Sequence, residues 1–195
     1  MKERPIIFNT EMVKAVLEGR KIQTRRVVRR IKDQEKSYWN IKELILPYPR
    51  DGLVWNVRCE RGYSGHIKCP YGKVGDRLWV RETWFNFWGG IIYRAADEYA
   101  SIVDDDPDNT WKPSIHMPRW ASRITLKITD IRVERLQEIK YEGMKAEGCL
   151  PKNCCGGERE TLRKEYWIPL WNSIYKKENT WQDNPWVWVI KFKVI

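Results

Sequence analysis

The sequence predicts an α+β fold in which short strands form a curled antiparallel or mixed sheet that closes as a small barrel. Three observations carry this reading. About six segments alternate apolar and polar residues at strand period, and three repeat apolar residues at helical spacing. The two kinds never follow one another in regular strand–helix–strand order, which argues against a parallel doubly wound sheet. Strands this short satisfy their edges most readily by curling closed.

The elements follow in order. Arg4 to Phe8 reads as a strand, and Thr10 as the cap of a helix whose Met12, Val13, Val16 and Leu17 share a face. Gly19 ends that helix, since glycine tolerates positive φ. Val27 and Val28, flanked by arginines, suit a strand within Lys21 to Ile31, which leaves Lys21 and Thr24 on the turn before it. Residues 32–75 are rich in Pro, Gly and charge, so long elements are not expected there, only a short strand over Leu53 to Val57. "GDRLWVRETW" (75–84) opens with a turn and then alternates, placing Leu78, Val80 and Glu82 on one face. A strand at Ile91 to Arg94 precedes an acidic stretch, Asp97 to Asn109, that reads as a solvated loop. Ile124, Leu126 and Ile128 mark one face of a long strand, and Glu138 to Gly148 forms a short helix. "CLPKNCCGGE" reads as a loop, and a helix from about Glu158 to Tyr175 is interrupted or restarted at Pro169. In the closing "PWVWVIKFKVI", Trp186, Trp188, Ile190, Phe192 and Val194 face one way and Lys191 and Lys193 the other.

With 195 residues, 42% apolar content and twelve tryptophans, the chain has material for one well-filled core, and a single domain over 1–195 is expected. The net charge of +10 favours anionic partners without distinguishing RNA, DNA, nucleotides or a membrane surface. Residues 1 to 35 hold ten basic and five acidic side chains, so the basic character is concentrated near the N-terminus. No apolar run approaches the ~20 residues of a membrane span, and "MKERPIIFNTE" has no hydrophobic signal core, so a cytoplasmic protein without a membrane partner is expected. Five cysteines, an odd number, suit reduced thiols better than a disulfide framework.

"EGRKIQTRRVVRR" (18–30) puts six Lys or Arg residues around Thr24. Such a run is ordinarily a solvated face. Glu82 is a carboxylate that alternation turns inward, either toward a site or as the structural partner of an arginine such as Arg26. Trp79, Trp84 and Trp88 are the candidates for stacking on a base, whereas Trp186 and Trp188 follow strand period and belong to the core. Cys59, His66 and Cys69, with Cys149, Cys154 or Cys155, match no compact zinc spacing, and His116 has no motif partner.

The ordered blocks "GRKIQTRR", "GDRLWVRE", "LQEIKYEGMKAEG" and a final "WVIKFK" strand resemble the ASCH-domain family, most closely its phage-encoded members. Gly19, Arg20, Lys21, Thr24 and Arg26 all fit the block G-[RK]-K-x-x-T-x-R. The resemblance implies a PUA-like β-barrel with flanking helices, insertions at about 31–74 and 86–115, and a cleft beside the Lys–Thr turn. It also implies either metal- and cofactor-free hydrolysis of N4-acetylcytidine to cytidine, or RNA binding; some family members are proposed nucleases. By position, Lys21, Thr24 and Glu147 match the family's catalytic trio, with Glu142 the nearby alternative carboxylate. Arg20, Arg26, Glu82 and Trp84 are the expected substrate-binding residues. Lys21 would act as base, Thr24 as nucleophile or water positioner, and Glu147 as acid or orienting group. Neighbouring Arg20, Arg25 and Arg26, together with partial burial, would lower the Lys21 pKa as a base requires.

Overall fold

The computed structural model describes residues 1–28, 31–32, 38–39, 41–45, 54–59, 64–88, 90–150 and 159–195. In chain order these give β1 (Glu3–Ile7), α1 (Thr10–Leu17), β2 (Gln23–Val27), β3 (Ile31–Lys32), β4 (Tyr38–Trp39), β5 (Ile41–Ile45), β6 (Val54–Cys59), β7 (Ser64–Lys68) and β8 (Arg77–Arg81). They continue with β9 (Trp84–Phe87), β10 (Gly90–Tyr93), α2 (Asp97–Asp104), β11 (Thr125–Arg135), α3 (Tyr141–Ala146), α4 (Arg159–Leu162), α5 (Ile168–Ile174) and β12 (Trp186–Val194). A π-helical turn, Arg163–Trp167, joins α4 to α5.

Five strands build the main sheet in the order β1-β8-β11-β12-β2. The β1–β8 pair is parallel and the other three are antiparallel. Smaller sheets, β3-β4 and β5-β6-β7, lie in the first segment expected to be an insertion, and β9-β10 straddles the start of the second. The mixed sheet with short helices is the α+β class read from the sequence, and among the described residues its pairings run from β1 at one edge to β2 at the other.

Both faces of this sheet are covered. Trp188, Ile190 and Phe192 of β12 join Ile6, Phe8, Val13, Val16, Leu78, Leu126 and Ile128 in a first core roofed by α1. Val187 and Val189, on the opposite face, join Leu136, Ile139, Met144, Leu162, Trp167 and Trp171 in a second core beneath the later helices. The expected one-sided β12 is therefore corrected: only its C-terminal lysines leave the second face polar, because α3 and the α4–α5 segment cover the rest.

Other local expectations shift for identifiable reasons. Asn9, not Thr10, caps α1, its side chain accepting from the Met12 amide at 2.8 Å, and Thr10 is the first helical residue. Thr24 lies inside β2 rather than on a turn. The acidic stretch is a helix, α2, over Asp97–Asp104 rather than a loop, and its Asp104 accepts from the Trp111 indole at 2.7 Å. The strand expected near residue 53 is β6, but β4, β5, β7 and β9 were not anticipated. Pro169 falls in the first turn of α5, directly after the π-helical turn that interrupts the α-helical run. Most of the "CLPKNCCGGE" loop, residues 151–158, lies outside the described residues.

Candidate active site

Two helix ends are brought together at Lys21. α1 closes with Gly19 at φ +72°, and the Lys21 amide turns back to donate to the Ala15 carbonyl at 2.9 Å. Lys21 then pairs antiparallel with Glu147, just past α3, and the Ile22 amide donates to the Ala146 carbonyl at 2.9 Å. The approach needs a glycine at 148, which sits at φ +71°. A Cβ there would meet the Ala15 Cβ at 2.9 Å and the Lys21 Cβ at 3.0 Å.

This docking sets the Glu147 carboxylate against two cations. Lys21 Nζ donates to Glu147 Oε2 at 2.8 Å and to the Glu147 carbonyl at 3.0 Å, while Arg25 Nη1 donates to Glu147 Oε1 at 3.1 Å. Arg25 reaches on to Glu134 Oε1, at 2.5 Å from Nη2, and Arg132 Nε donates to Glu134 Oε2 at 3.0 Å. Charges thus alternate along Lys21, Glu147, Arg25, Glu134 and Arg132. Lys21 and Glu147 are only 2% and 6% exposed, and such burial is tolerable because each charge has a hydrogen-bonded opposite. Burial pulls the Lys21 pKa below the ordinary lysine value; the Glu147 charge opposes this and Arg26 adds to it. Of the two carboxylates weighed from sequence, Glu147 meets Lys21, whereas Glu142 is exposed on α3.

Thr24 is 1% exposed and stands opposite Ile190 in the sheet, so it shares the face of the first core. Arg26, two residues along, stands opposite Trp188, and its guanidinium lies 5.6 Å from the Phe8 ring centre; Lys21 Nζ lies 5.5 Å from the same ring. Lys21, Thr24 and Arg26 therefore converge on the Phe8 side of β2, while Gln23 and Arg25 face the second core. A basic run is ordinarily a solvated face, but here Lys21 and Thr24 are buried, more completely than the partial burial expected of a cleft. Glu147 itself opens onto a cavity of about 370 Å³ whose lining includes Asn9, Met12, Arg20, Gly148, Cys149 and Tyr166. Across the first turn of α1, a second cavity of about 430 Å³ shares Asn9 and Met12 and holds Arg26, Arg81 and Tyr175.

No protein-family model, curated protein or solved structure matches this chain.

The remaining predicted residues divide. Arg20 borders the first cavity, donating to the Gly148 carbonyl at 2.7 Å and to Glu18 at 2.6 Å. Arg26 borders the second and donates to the Ile7 carbonyl at 2.6 Å. Glu82 is buried as its alternation implied, but it takes a two-pronged pair from Arg123, 3.0 Å on each side, and not from Arg26. Trp84 is also buried, packed with Met117 and Ala121 and edge-on to Trp120 at 5.9 Å, so it offers no stacking face. Trp88 is fully exposed, and Trp79 carries Arg81 and Arg119 over its ring at 5.3 and 6.0 Å.

Among the cysteines, burial pushes the Cys69 thiol up to about 11 and the Cys149 thiol up to about 12, the latter helped by the Glu147 charge. The side chains of Cys59 and His66, and the whole of Cys154 and Cys155, lie outside the described residues. His116 is exposed in a short 3-10 turn. The sequence reading missed the part of Arg25 as the second cation on Glu147, and it missed Glu134 altogether. The signal was alternation along β2, which sets Arg25 on the opposite face from Thr24, together with the matching inward Glu on β11.

Proposed function

We propose that the chain is an ASCH-type domain with PUA-like curvature that hydrolyses the N4-acyl amide of a cytidine-type nucleoside, releasing cytidine and the carboxylic acid. The observation that carries this reading is the buried Lys21–Glu147 pair, with Thr24 buried three residues after Lys21 in β2, the three residues picked out by the resemblance. The hydrogen bonds at Nζ suit a base. A neutral amine has two hydrogens and one lone pair, and Lys21 has two acceptors among the described residues, both on Glu147. Its lone pair is then free to take a proton, and the depressed pKa makes the neutral form more accessible.

In the reaction, neutral Lys21 removes a proton from the Thr24 hydroxyl, or from a water that Thr24 holds, as oxygen attacks the acyl carbon. The tetrahedral intermediate collapses with cleavage of the C–N4 bond, and the proton carried by Lys21 passes to N4 so that cytidine leaves as a neutral amine. If Thr24 is the nucleophile, water then cleaves the acyl-threonine ester by the same base. Glu147 orients Nζ, and its charge stabilises the lysine ammonium formed during attack. The cavity beside Glu147 lies within the ~300–1,000 Å³ range of small-molecule sites. Met12 lines that cavity and packs on the core that holds Thr24, so it is the side chain placed to yield as substrate reaches the hydroxyl.

The test is incubation of N4-acetylcytidine with wild type, Thr24→Ser and Thr24→Val, each with EDTA, following cytidine and acetate by chromatography. Turnover by wild type, retained in part by Thr24→Ser and abolished in Thr24→Val, supports the reading; equal turnover in all three removes Thr24 from the chemistry. A second reading, RNA binding, has its own support in the exposed Trp88 and the arginine-covered Trp79. Affinity for single-stranded RNA that falls steeply with salt and is lost in Trp79→Ala would favour it.

A further inference from the structure

We infer that a third cavity, on the opposite face of β2 from Thr24, is a binding site for a phosphoryl oxyanion. It has a volume of about 450 Å³ and lies between the polar end of the sheet's second face and α3. Its lining includes Gln23, Arg25, Arg132, Lys140 and Lys191, with the carboxylates Glu134, Glu138 and Glu142. The inference does not depend on the hydrolase reading.

Gln23 is the deciding residue. It is 1% exposed, yet its side-chain Nε2 has no hydrogen-bond partner. A buried amide N–H left unpaired is costly, and an occupant with an acceptor atom removes that cost. The sheet register sets Lys191 directly opposite Gln23, on the same face. Lys191 and Lys140 are exposed, and neither has an ion-pair partner among the described residues. An orphan donor therefore stands beside unpaired cations at one cavity.

The carboxylates do not cancel this. Glu134 is already held by Arg25 and Arg132, and Glu138 accepts from the Arg135 amide at 3.1 Å. Glu138 keeps its charge, so it and Glu142 are set against the two lysines, and the lining as a whole carries four cations, Arg25, Arg132, Lys140 and Lys191, to three carboxylates. The unmet group is a donor, so the occupant is an acceptor and not a metal cation. Donors come from both walls, Gln23 and Lys191 from the sheet and Lys140 from the start of α3. A tetrahedral oxyanion accepts from opposite sides, whereas a planar carboxylate presents two oxygens in one direction.

The source is free phosphate or the phosphate of a nucleotide, and titrations of 15N-labelled protein at constant ionic strength separate them. The probes are inorganic phosphate, cytidine 5′-monophosphate and cytidine, followed through the Gln23 side-chain amide resonance. The expected result is a saturable shift with inorganic phosphate or the monophosphate and none with cytidine. Saturation by both anions assigns free phosphate; saturation by the monophosphate alone assigns a nucleotide. Loss of the surface ammonium in Lys191→Ala should weaken binding about tenfold, the scale of one charge-assisted hydrogen bond. No saturable shift with either anion, an equal response to cytidine, or unchanged affinity in Lys191→Ala would overturn the assignment.

Discussion

Replacing Glu147 with Gln tests the charge network that holds the candidate site together. The wild-type carboxylate accepts from Lys21 at 2.8 Å and Arg25 at 3.1 Å, and both cationic side chains are 1% exposed. Removing one partner of a buried ion pair costs ~3–5 kcal/mol. Arg25 keeps Glu134 and Lys21 keeps the residue 147 carbonyl, so the lower end applies, about 3 kcal/mol or a fall in Tm of about 6–12 °C. The stranded cation is Lys21, and without the carboxylate its pKa falls further below 10.5. A lysine depressed in the folded state binds fewer protons there than when unfolded, so stability rises as pH climbs from the folded pKa toward the unfolded one. The defect of Glu147→Gln should therefore shrink in urea denaturation as pH climbs from the lysine pKa of the folded variant through the higher one of the folded wild type, both below 10.5. Adding Lys21→Met removes the stranded charge, so the double variant should be more stable than Glu147→Gln alone, with a coupling of at least ~2 kcal/mol. Additive losses within ~0.5 kcal/mol, unchanged by pH, would refute the reasoning.

Further expectations follow from the same geometry. Arg123→Ala leaves Glu82 buried without its cation and should cost ~3 kcal/mol by urea denaturation while leaving KM for the substrate unchanged; a raised KM would return Glu82 to the binding site. Gly148→Ala forces a left-handed alanine into contact with Ala15 and Lys21, so a loss of ~2 kcal/mol or more is expected, with a fall in kcat from the displaced Glu147. The rate should rise with pH as Lys21 deprotonates, with a midpoint in kcat/KM below 10.5; a midpoint at or above that value would contradict the buried base.

Strands with one apolar and one polar face were legible in the sequence. β8 and β11 were found because Leu78, Val80, Leu126 and Ile128 recur at every second position. Alternation could not say that Val187 and Val189 of β12 are buried as deeply as Ile190, because that depends on helices packing from the far side. α2 was misread because Glu98 and Asp104 face solvent, while Val103 and the Trp111–Asp104 bond fix it to its surroundings. Lys21, Thr24 and Glu147 were selected together by the block pattern, and partial burial of Lys21 was expected with them; its near completeness was not, since a basic run is ordinarily solvated. The glycine at 148 that draws α3 onto Lys21 is a tertiary requirement. Trp84 illustrates the reverse error, a tryptophan read as a stacking face that the 114–121 turns cover.

The most direct test of the account is hydrolysis of N4-acetylcytidine by wild type and by Lys21→Met, with each sample's fold checked by near-ultraviolet circular dichroism. Methionine fills the space of the lysine stem without a base. Turnover in wild type that is lost in a natively folded Lys21→Met is the predicted result. Equal turnover in the two proteins, or none in a folded wild type, would contradict the claim that this buried pair is a hydrolytic centre.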